Sequence, residues 1–243
     1  MSQSNTLFII PMYNEEKRLD EKAFQLAFDL YNHIDFLLID DASIDQTPAI
    51  IYQLTKTHPN VYSIKNDVNL GKGASIRNGV IHTDLSKYKH IGYLDADLSV
   101  PFFEMKALLD IAIQKIDKPF VMGSRIKLIS NHIIRSKGRH YFGRIFATVI
   151  SQFILKTPVY DTQCGAKIIQ AELANQLFIE PFETRWLFDI ELLLRYKKQN
   201  SNFIKNVLEI PLNIWEEKGK TKIKFYEFIL FPLQIVKLYF KYA

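Results

Sequence analysis

At 243 residues the chain is long enough for one α/β domain with a sizeable core, and 48% hydrophobic against 23% charged residues exclude a disordered chain. A net charge of +5 suits an anionic partner such as a nucleotide, a phosphate or an acidic lipid surface. The single cysteine, Cys164, excludes an intramolecular disulfide and reads as a small packed residue in a reducing compartment.

Residues 6–10 (TLFII) form an apolar, β-branched run that predicts a buried strand, and PMYNEE follows as a loop. Across 17–33, Leu19, Ala23, Leu26, Ala27 and Leu30 recur at helical spacing. Residues 35–39 predict a second strand ending in Asp40-Asp41. A helix over 45–57 follows, with Asp45 or Thr47 as its cap. A short strand at 61–65 leads to the loop NLGKG and a helix over 73–82. Residues 90–94 (HIGYL) predict a strand running into Asp95-Ala96-Asp97. A helix over 102–115 and a strand over 119–123 come next. This alternation predicts a parallel, doubly wound sheet, with ligands beyond the carboxyl ends of its strands.

The second half is less regular. An aromatic and aliphatic helix is expected over 139–156, with basic edges at Arg139, Arg144 and Lys156. Residues 161–169 (DTQCGAKII) read as a turn entering a strand, 171–178 and 188–198 as helices, and 207–212 as a strand. EEKGKTKIK is a basic loop. Glu227, Pro232, Gln234, Lys237 and Lys241 interrupt the apolar run 225–243, too often for a bilayer span. It reads either as an amphipathic helix on a membrane surface or as a helix packed on the domain. No basic region followed by an apolar core opens the chain, so no signal peptide is expected. One domain over 1–222 with a C-terminal amphipathic helix over 223–243 is the simplest organisation.

Three acidic or polar clusters, PMYNEE, DDAS and DAD, fall at the ends of the first, second and fourth predicted strands. Asp95 and Asp97, one residue apart, can approach one divalent cation, and hard oxygen ligands suit Mg²⁺ or Mn²⁺. A cation held there would also bind a diphosphate and stabilise it as it leaves. Asp40 and Asp41 can accept from a ribose or a base N–H, or hold the turn that follows. NLGKG could bring backbone close to a phosphate with Lys72 as countercharge. It is not a P-loop, because no Lys-Ser/Thr follows its second glycine. Arg125, Arg135, Lys137, Arg139, Arg144, Lys218, Lys220, Lys222 and Lys224 are candidate phosphate contacts or a solvated basic face. Asp161, Asp189 and Glu191 are further candidate acids. The last two sit in the apolar run WLFDIELLL, where an acid is functional or paired, for instance with Arg185 or Arg195.

IIPMYNEE, LIDDASIDQT, NLGKGASIRNG, YLDADLS, GSR, YDTQCGAKII and RWLFDIELL, in that order, resemble family 2 glycosyltransferases of the GT-A fold. Within that family the chain looks most like the dolichyl- or polyprenyl-phosphate β-glucosyltransferase branch. The resemblance runs from about Leu7 to Lys222. It implies a single Rossmann-like, doubly wound mixed sheet with flanking helices. It also implies that Pro11, Tyr13 and Glu15 line the nucleotide pocket, that Asp41 contacts the base, and that Lys72 lies near the phosphates. Asp95 and Asp97 would hold the metal and diphosphate, with Ser99 nearby. Arg125, Arg135 and Arg139 would meet the acceptor phosphate, Lys222 would be a further phosphate contact, and the Asp161 and Asp189 segments would border the acceptor. DDAS stands where DDGS is commoner, and NIWEE favours UDP-glucose over GDP-mannose.

The expected activity is inverting transfer of a hexose, glucose above all, from a nucleotide sugar to a polyprenyl phosphate. The place for it would be peripheral, at the cytoplasmic face of a membrane. A rival is transfer to a sugar hydroxyl of a glycan, which needs a carboxylate base from Asp189, Glu191 or Asp161. A non-catalytic nucleotide-binding or membrane-surface module is the reading from another class. Nucleic acid is not expected as a partner, since no base-stacking aromatic motif accompanies the basic residues.

Overall fold

Apolar runs covered on both faces become the strands of one central sheet, and amphipathic segments become the helices that cover it. The computed structural model describes residues 5–134, 143, 146–218 and 225–242. In chain order the strands are β1 (Thr6–Met12), β2 (Asp35–Asp40), β3 (Val61–Lys65), β4 (His90–Tyr93) and β5 (Phe120–Ser124), then β6 (His132–Ile134), β7 (Lys167–Gln170), β8 (Val207–Pro211) and β9 (Ile214–Glu216). The helices are α1 (Glu21–Leu30), α2 (Thr47–Thr57), α3 (Lys72–His82), α4 (Phe102–Gln114), α5 (Ala171–Phe178), α6 (Phe188–Gln199), α7 (Phe203–Asn206) and α8 (Phe225–Tyr242).

Seven strands form the sheet in the order β3-β2-β1-β4-β7-β5-β8, and β6 pairs with β9 in a small second sheet. The two-residue strand period divides the core between two faces. Phe8, Ile10, Phe36 and Leu38 meet Phe24 and Phe28 of α1, Ile51 and Leu54 of α2 and Met105 of α4. Leu7, Ile9, Leu37 and Ile39 meet Ile76 and Val80 of α3, Leu177 of α5 and Leu193 of α6.

The purely parallel sheet expected from the alternation alone is corrected at one strand. β7 runs antiparallel to both β4 and β5, pairing Ile169 with Ile91 and Ile168 with Val121. The chain that leaves β5 returns to the same end of the sheet, where the Arg125 N–H donates to Asp161 Oδ2 at 3.0 Å. It therefore enters β7 from the carboxyl end of β5. This brings residues 161–166 to the end of the sheet that carries the acidic clusters.

The expected helix start at residue 17 moves to Glu21, because the Asp20 carboxylate caps the Ala23 N–H at 3.1 Å. Of the expected helix 139–156, residues 146–149 are α-helical and Ile150–Leu155 form a π-helical turn ending at Lys156 in the left-handed region. Arg135, Lys137, Arg139, Arg144, Lys220, Lys222 and Lys224 lie outside the described residues. One side of α8 packs on the domain: Leu238 is fully buried, the Trp186 indole N–H donates to Glu227, and Lys237 and Lys241 reach Glu183. Leu230, Leu233 and Phe240 are exposed, the last at 80%. Among the described residues no helix is long and apolar enough to cross a membrane.

Candidate active site

The loops after β1 and β2 lock together through polar side chains. Asn14, at φ +48°, donates its N–H to Ser43 Oγ at 3.0 Å, and its Oδ1 accepts from the Ile44 N–H at 2.9 Å. The Glu15 N–H donates to Thr47 Oγ1 and the Glu16 N–H to Asp45. Glu15 is buried and forked with Arg18 at 2.7 to 2.9 Å, while Pro11 and Tyr13 are half-buried beside it. Ala42 stands at φ +59°, the backbone conformation that favours the commoner glycine.

Both readings of the aspartate pair have a structural counterpart. Asp40 Oδ1 accepts from the Ser43 N–H at 2.9 Å, holding the turn. Its buried Oδ2 has no hydrogen-bond partner among the described residues. The Asp41 carboxylate accepts from the N–H groups of Leu70 and Gly71 and from Asn66 Nδ2, each at 2.8 Å. Asp41 therefore pins NLGKG and fixes where α3 begins. Gly71, at φ +87°, turns the chain into that helix.

Asp95 to Leu98 form a turn beyond β4, with Leu98 at φ +52° and its N–H donating to the Asp95 carbonyl. Asp97 Oδ1 accepts from the Ser99 N–H at 3.0 Å, and Asp95 Oδ1 lies 2.6 Å from Lys72 Nζ. Burial and the neighbouring Asp95 charge push the Asp97 carboxyl above its usual range. Burial works to lower the Lys72 ammonium, but the charges of Asp95, Asp189 and Asp97 outweigh it and hold its pKa above the usual lysine range. Gly165 lies against Asp95 so closely that an added Cβ would fall 2.1 Å from Oδ2.

Two neighbouring carboxylates, Asp97 raised by burial and by the Asp95 charge, are a donor set that fits a hard divalent cation. Among the described residues no group of three or more His, Cys, Asp or Glu side chains could hold a metal. Two protein ligands suit Mg²⁺ or Mn²⁺ completed by diphosphate oxygens and water.

The remaining sequence-selected acids are all engaged inside the protein. Asp161 forks with Arg125, taking Nε at 2.6 Å and Nη2 at 2.7 Å, and the guanidinium lies 5.4 Å over the Trp215 ring. Glu209 caps this pair from β8, accepting from the N–H groups of Tyr160 and Asp161. Asp189 accepts from Lys167 Nζ at 2.6 Å and from the Tyr93 hydroxyl at 2.7 Å. Glu191 accepts from Arg195, as one reading of the sequence anticipated, and also from the Tyr242 hydroxyl and the Glu183 N–H. Burial pushes the Cys164 thiol up to about 11, which makes it a packing residue and no nucleophile.

Lys167, Gly165 and Glu209 were not singled out by sequence reasoning. Lys167 is fully buried and donates to the carbonyls of Thr162 and Cys164 as well as to Asp189, so it shapes the loop that presses Gly165 onto Asp95. A lysine inside the apolar run AKII was the available signal.

The profile of glycosyl transferase family 2 matches residues 7–178. A dolichyl-phosphate beta-glucosyltransferase of Trichomonas vaginalis is 30% identical, covering 98% of this chain and 71% of that protein. The enzyme of that name from Dictyostelium discoideum is 29% identical over 96% and 73% of the two chains, and the human one 30% over 91% and 70%. Among solved structures, glucosyl-3-phosphoglycerate synthase from Mycobacterium tuberculosis with phosphoglyceric acid superposes with a TM-score of 0.72, at 14% identity over 98% and 79% of the two chains. The same enzyme with Mn²⁺, UDP-glucose and phosphoglyceric acid gives 0.68, at 14% identity over 97% and 78%. These structures share the fold.

Proposed function

The chain belongs to glycosyl transferase family 2, and we propose that it transfers glucose from UDP-glucose to a polyprenyl phosphate with inversion at the anomeric carbon. The names of its relatives support both sugar and acceptor class. One observation of the site carries the choice of acceptor. Asp161, Asp189 and Glu191, the acids a hydroxyl acceptor would need, are each engaged by an internal cation. A phosphate monoester is already ionised near neutral pH, so its oxygen attacks without a base.

In this reading the phosphate oxygen forms a bond to C1 of glucose as the bond from C1 to the diphosphate breaks, and UDP leaves with the electron pair. Asp95 and Asp97 would hold Mg²⁺ or Mn²⁺, which supplies positive charge to the departing diphosphate. Pro11, Tyr13 and Glu15 line the nucleotide side, and Asp41 acts there through the loop that carries Lys72. The contact with the base expected of Asp41 competes with the three donors that already hold it. Arg125, fixed in direction by Asp161, orients the acceptor phosphate. Arg135, Arg139 and Lys222 would add charge to that task.

Residues 223–243 would form the peripheral segment on the cytoplasmic face of a membrane. The exposed Leu230, Leu233 and Phe240 support this, as does exposed Phe153 on the neighbouring π-helical turn. These two elements flank an apolar groove of about 450 Å³.

The test offers UDP-glucose, UDP-galactose, UDP-N-acetylglucosamine and GDP-mannose with Mn²⁺ or Mg²⁺, each with and without a short polyprenyl phosphate. Lipid-dependent glucose transfer, abolished by EDTA and in Asp97→Ala, is the expected result. Transfer to a glycan hydroxyl with no product on lipid would overturn the acceptor assignment.

A further inference from the structure

Two carboxylates one residue apart repel each other and draw in positive charge before any donor arrives. We propose that Lys72 is the resident counter-cation of Asp95, which a divalent metal must displace and whose ammonium then serves the diphosphate that the metal brings. The inference rests on the metal-dependent reading of Asp95 and Asp97 and deepens it.

The contact is made by built parts. Lys72 is the first residue of α3, and its backbone is fixed because the preceding Gly71 N–H is held by Asp41 at 2.8 Å. Its stem passes the Phe188 ring, with Nζ 5.8 Å from the centroid, and ends 2.6 Å from Asp95 Oδ1. The other oxygen, Oδ2, occupies the space that a Cβ at Gly165 would fill, so the 161–166 loop lies on that side. A cation seeking Asp95 therefore meets the ammonium at one oxygen and the loop at the other. Among the described residues Asp97 has no ion pair at contact distance, and its Oδ1 accepts from the Ser99 N–H at 3.0 Å. The side chains of Lys72 and Asp95 are 25% and 37% exposed, so the pair is open enough to exchange partners.

Charge decides the direction of each step. Asp95, Asp97 and Lys72 together carry one net negative charge. A bare divalent cation reverses that sign, and the ammonium beside it opposes the binding. A metal that carries a diphosphate brings excess negative charge, and the same ammonium, freed but tethered within a few ångströms, favours it. Lys72 thus penalises metal alone and rewards metal with nucleotide, which couples the two ligands.

The experiment titrates Mn²⁺ alone into the parent, Lys72→Gln and Lys72→Arg proteins, reading free Mn²⁺ by electron paramagnetic resonance. UDP is then titrated at saturating Mn²⁺ by calorimetry. Lys72→Gln should bind Mn²⁺ alone about ten-fold tighter and UDP with Mn²⁺ about ten-fold weaker, the equivalent of one charge-assisted hydrogen bond each way. Lys72→Arg, which keeps the charge, should stay near the parent in both. A merely structural lysine would weaken both affinities or neither, so either pattern refutes the exchange. Failure of all three proteins to bind Mn²⁺ would refute the metal site as well. Equal Mn²⁺ affinity in parent and Lys72→Gln would refute the exchange alone.

Discussion

Removing one partner from the buried Lys167–Asp189 pair tests whether Asp189 is a structural counter-ion or a base. The ammonium is 0% exposed and the carboxylate 4%. In Lys167→Met the carboxylate keeps, among the described residues, only the Tyr93 hydroxyl as a hydrogen-bond donor, and the carbonyls of Thr162 and Cys164 lose their donor. A buried charge left alone costs about 3–5 kcal/mol, a large share of the roughly 5–15 kcal/mol that holds a domain together. Asp189→Asn, which leaves the buried ammonium without a countercharge, should cost about the same. The double variant buries no net charge, so its loss should fall short of the sum by about 2 kcal/mol or more. Urea unfolding of the four proteins at low temperature, read by tryptophan fluorescence, measures the cycle. Costs that add within about 0.5 kcal/mol would show that the two groups do not depend on each other. Asp189→Asn with parent-like stability and abolished turnover would make Asp189 a base and refute the structural assignment.

Gly165→Ala should leave the fold intact and weaken Mn²⁺ binding by about ten-fold or more, because its Cβ would fall 2.1 Å from Asp95 Oδ2 and displace that side chain. Equilibrium dialysis beside a thermal melt checks it, and parent-like affinity would contradict the close approach. Glu183 anchors α8, and its hydrogen bonds from Lys237 and Lys241 hold its carboxyl at about 2, below its ordinary value of 4.5. A depressed folded pKa gives stability that is present above the unfolded value and lost as pH falls through the folded one. The exchange protection of α8 in the parent over Glu183→Gln, worth about 1 kcal/mol at most after solvent screening, should therefore be full above pH 4.5 and vanish near pH 2. A difference that persists at the acid end, or is absent near neutrality, would contradict it.

The sequence by itself determined the strands of the main sheet, most helices and the location of the acidic clusters, while the small β6–β9 sheet was not foreseen. The apolar stretches LFII and FLLI within TLFII and DFLLI suit strands covered on both faces, and the polar clusters that end them lie at one end of a wound sheet. Helix limits were less legible: the Asp20 cap starts α1 at Glu21, four residues after the periodicity alone suggested. The family resemblance, carried by ordered motifs, was likewise legible without coordinates, and it implied the mixed sheet.

The direction of β7 and the partners of the buried charges were decided by tertiary structure alone. An apolar strand has the same composition whichever way it runs. β7 is antiparallel because the excursion before it closes at Arg125 and Asp161, 36 residues apart in sequence. Asp189 and Lys167 lie 22 residues apart and Asp41 and Gly71 30 apart, so no local pattern announces either contact. An isolated aspartate motif says only that a carboxylate is present. Whether it holds a loop, neutralises a lysine or faces a ligand depends on which cation or N–H the fold brings within 3 Å, because a charge inside a protein must be met by a partner and only folding supplies one.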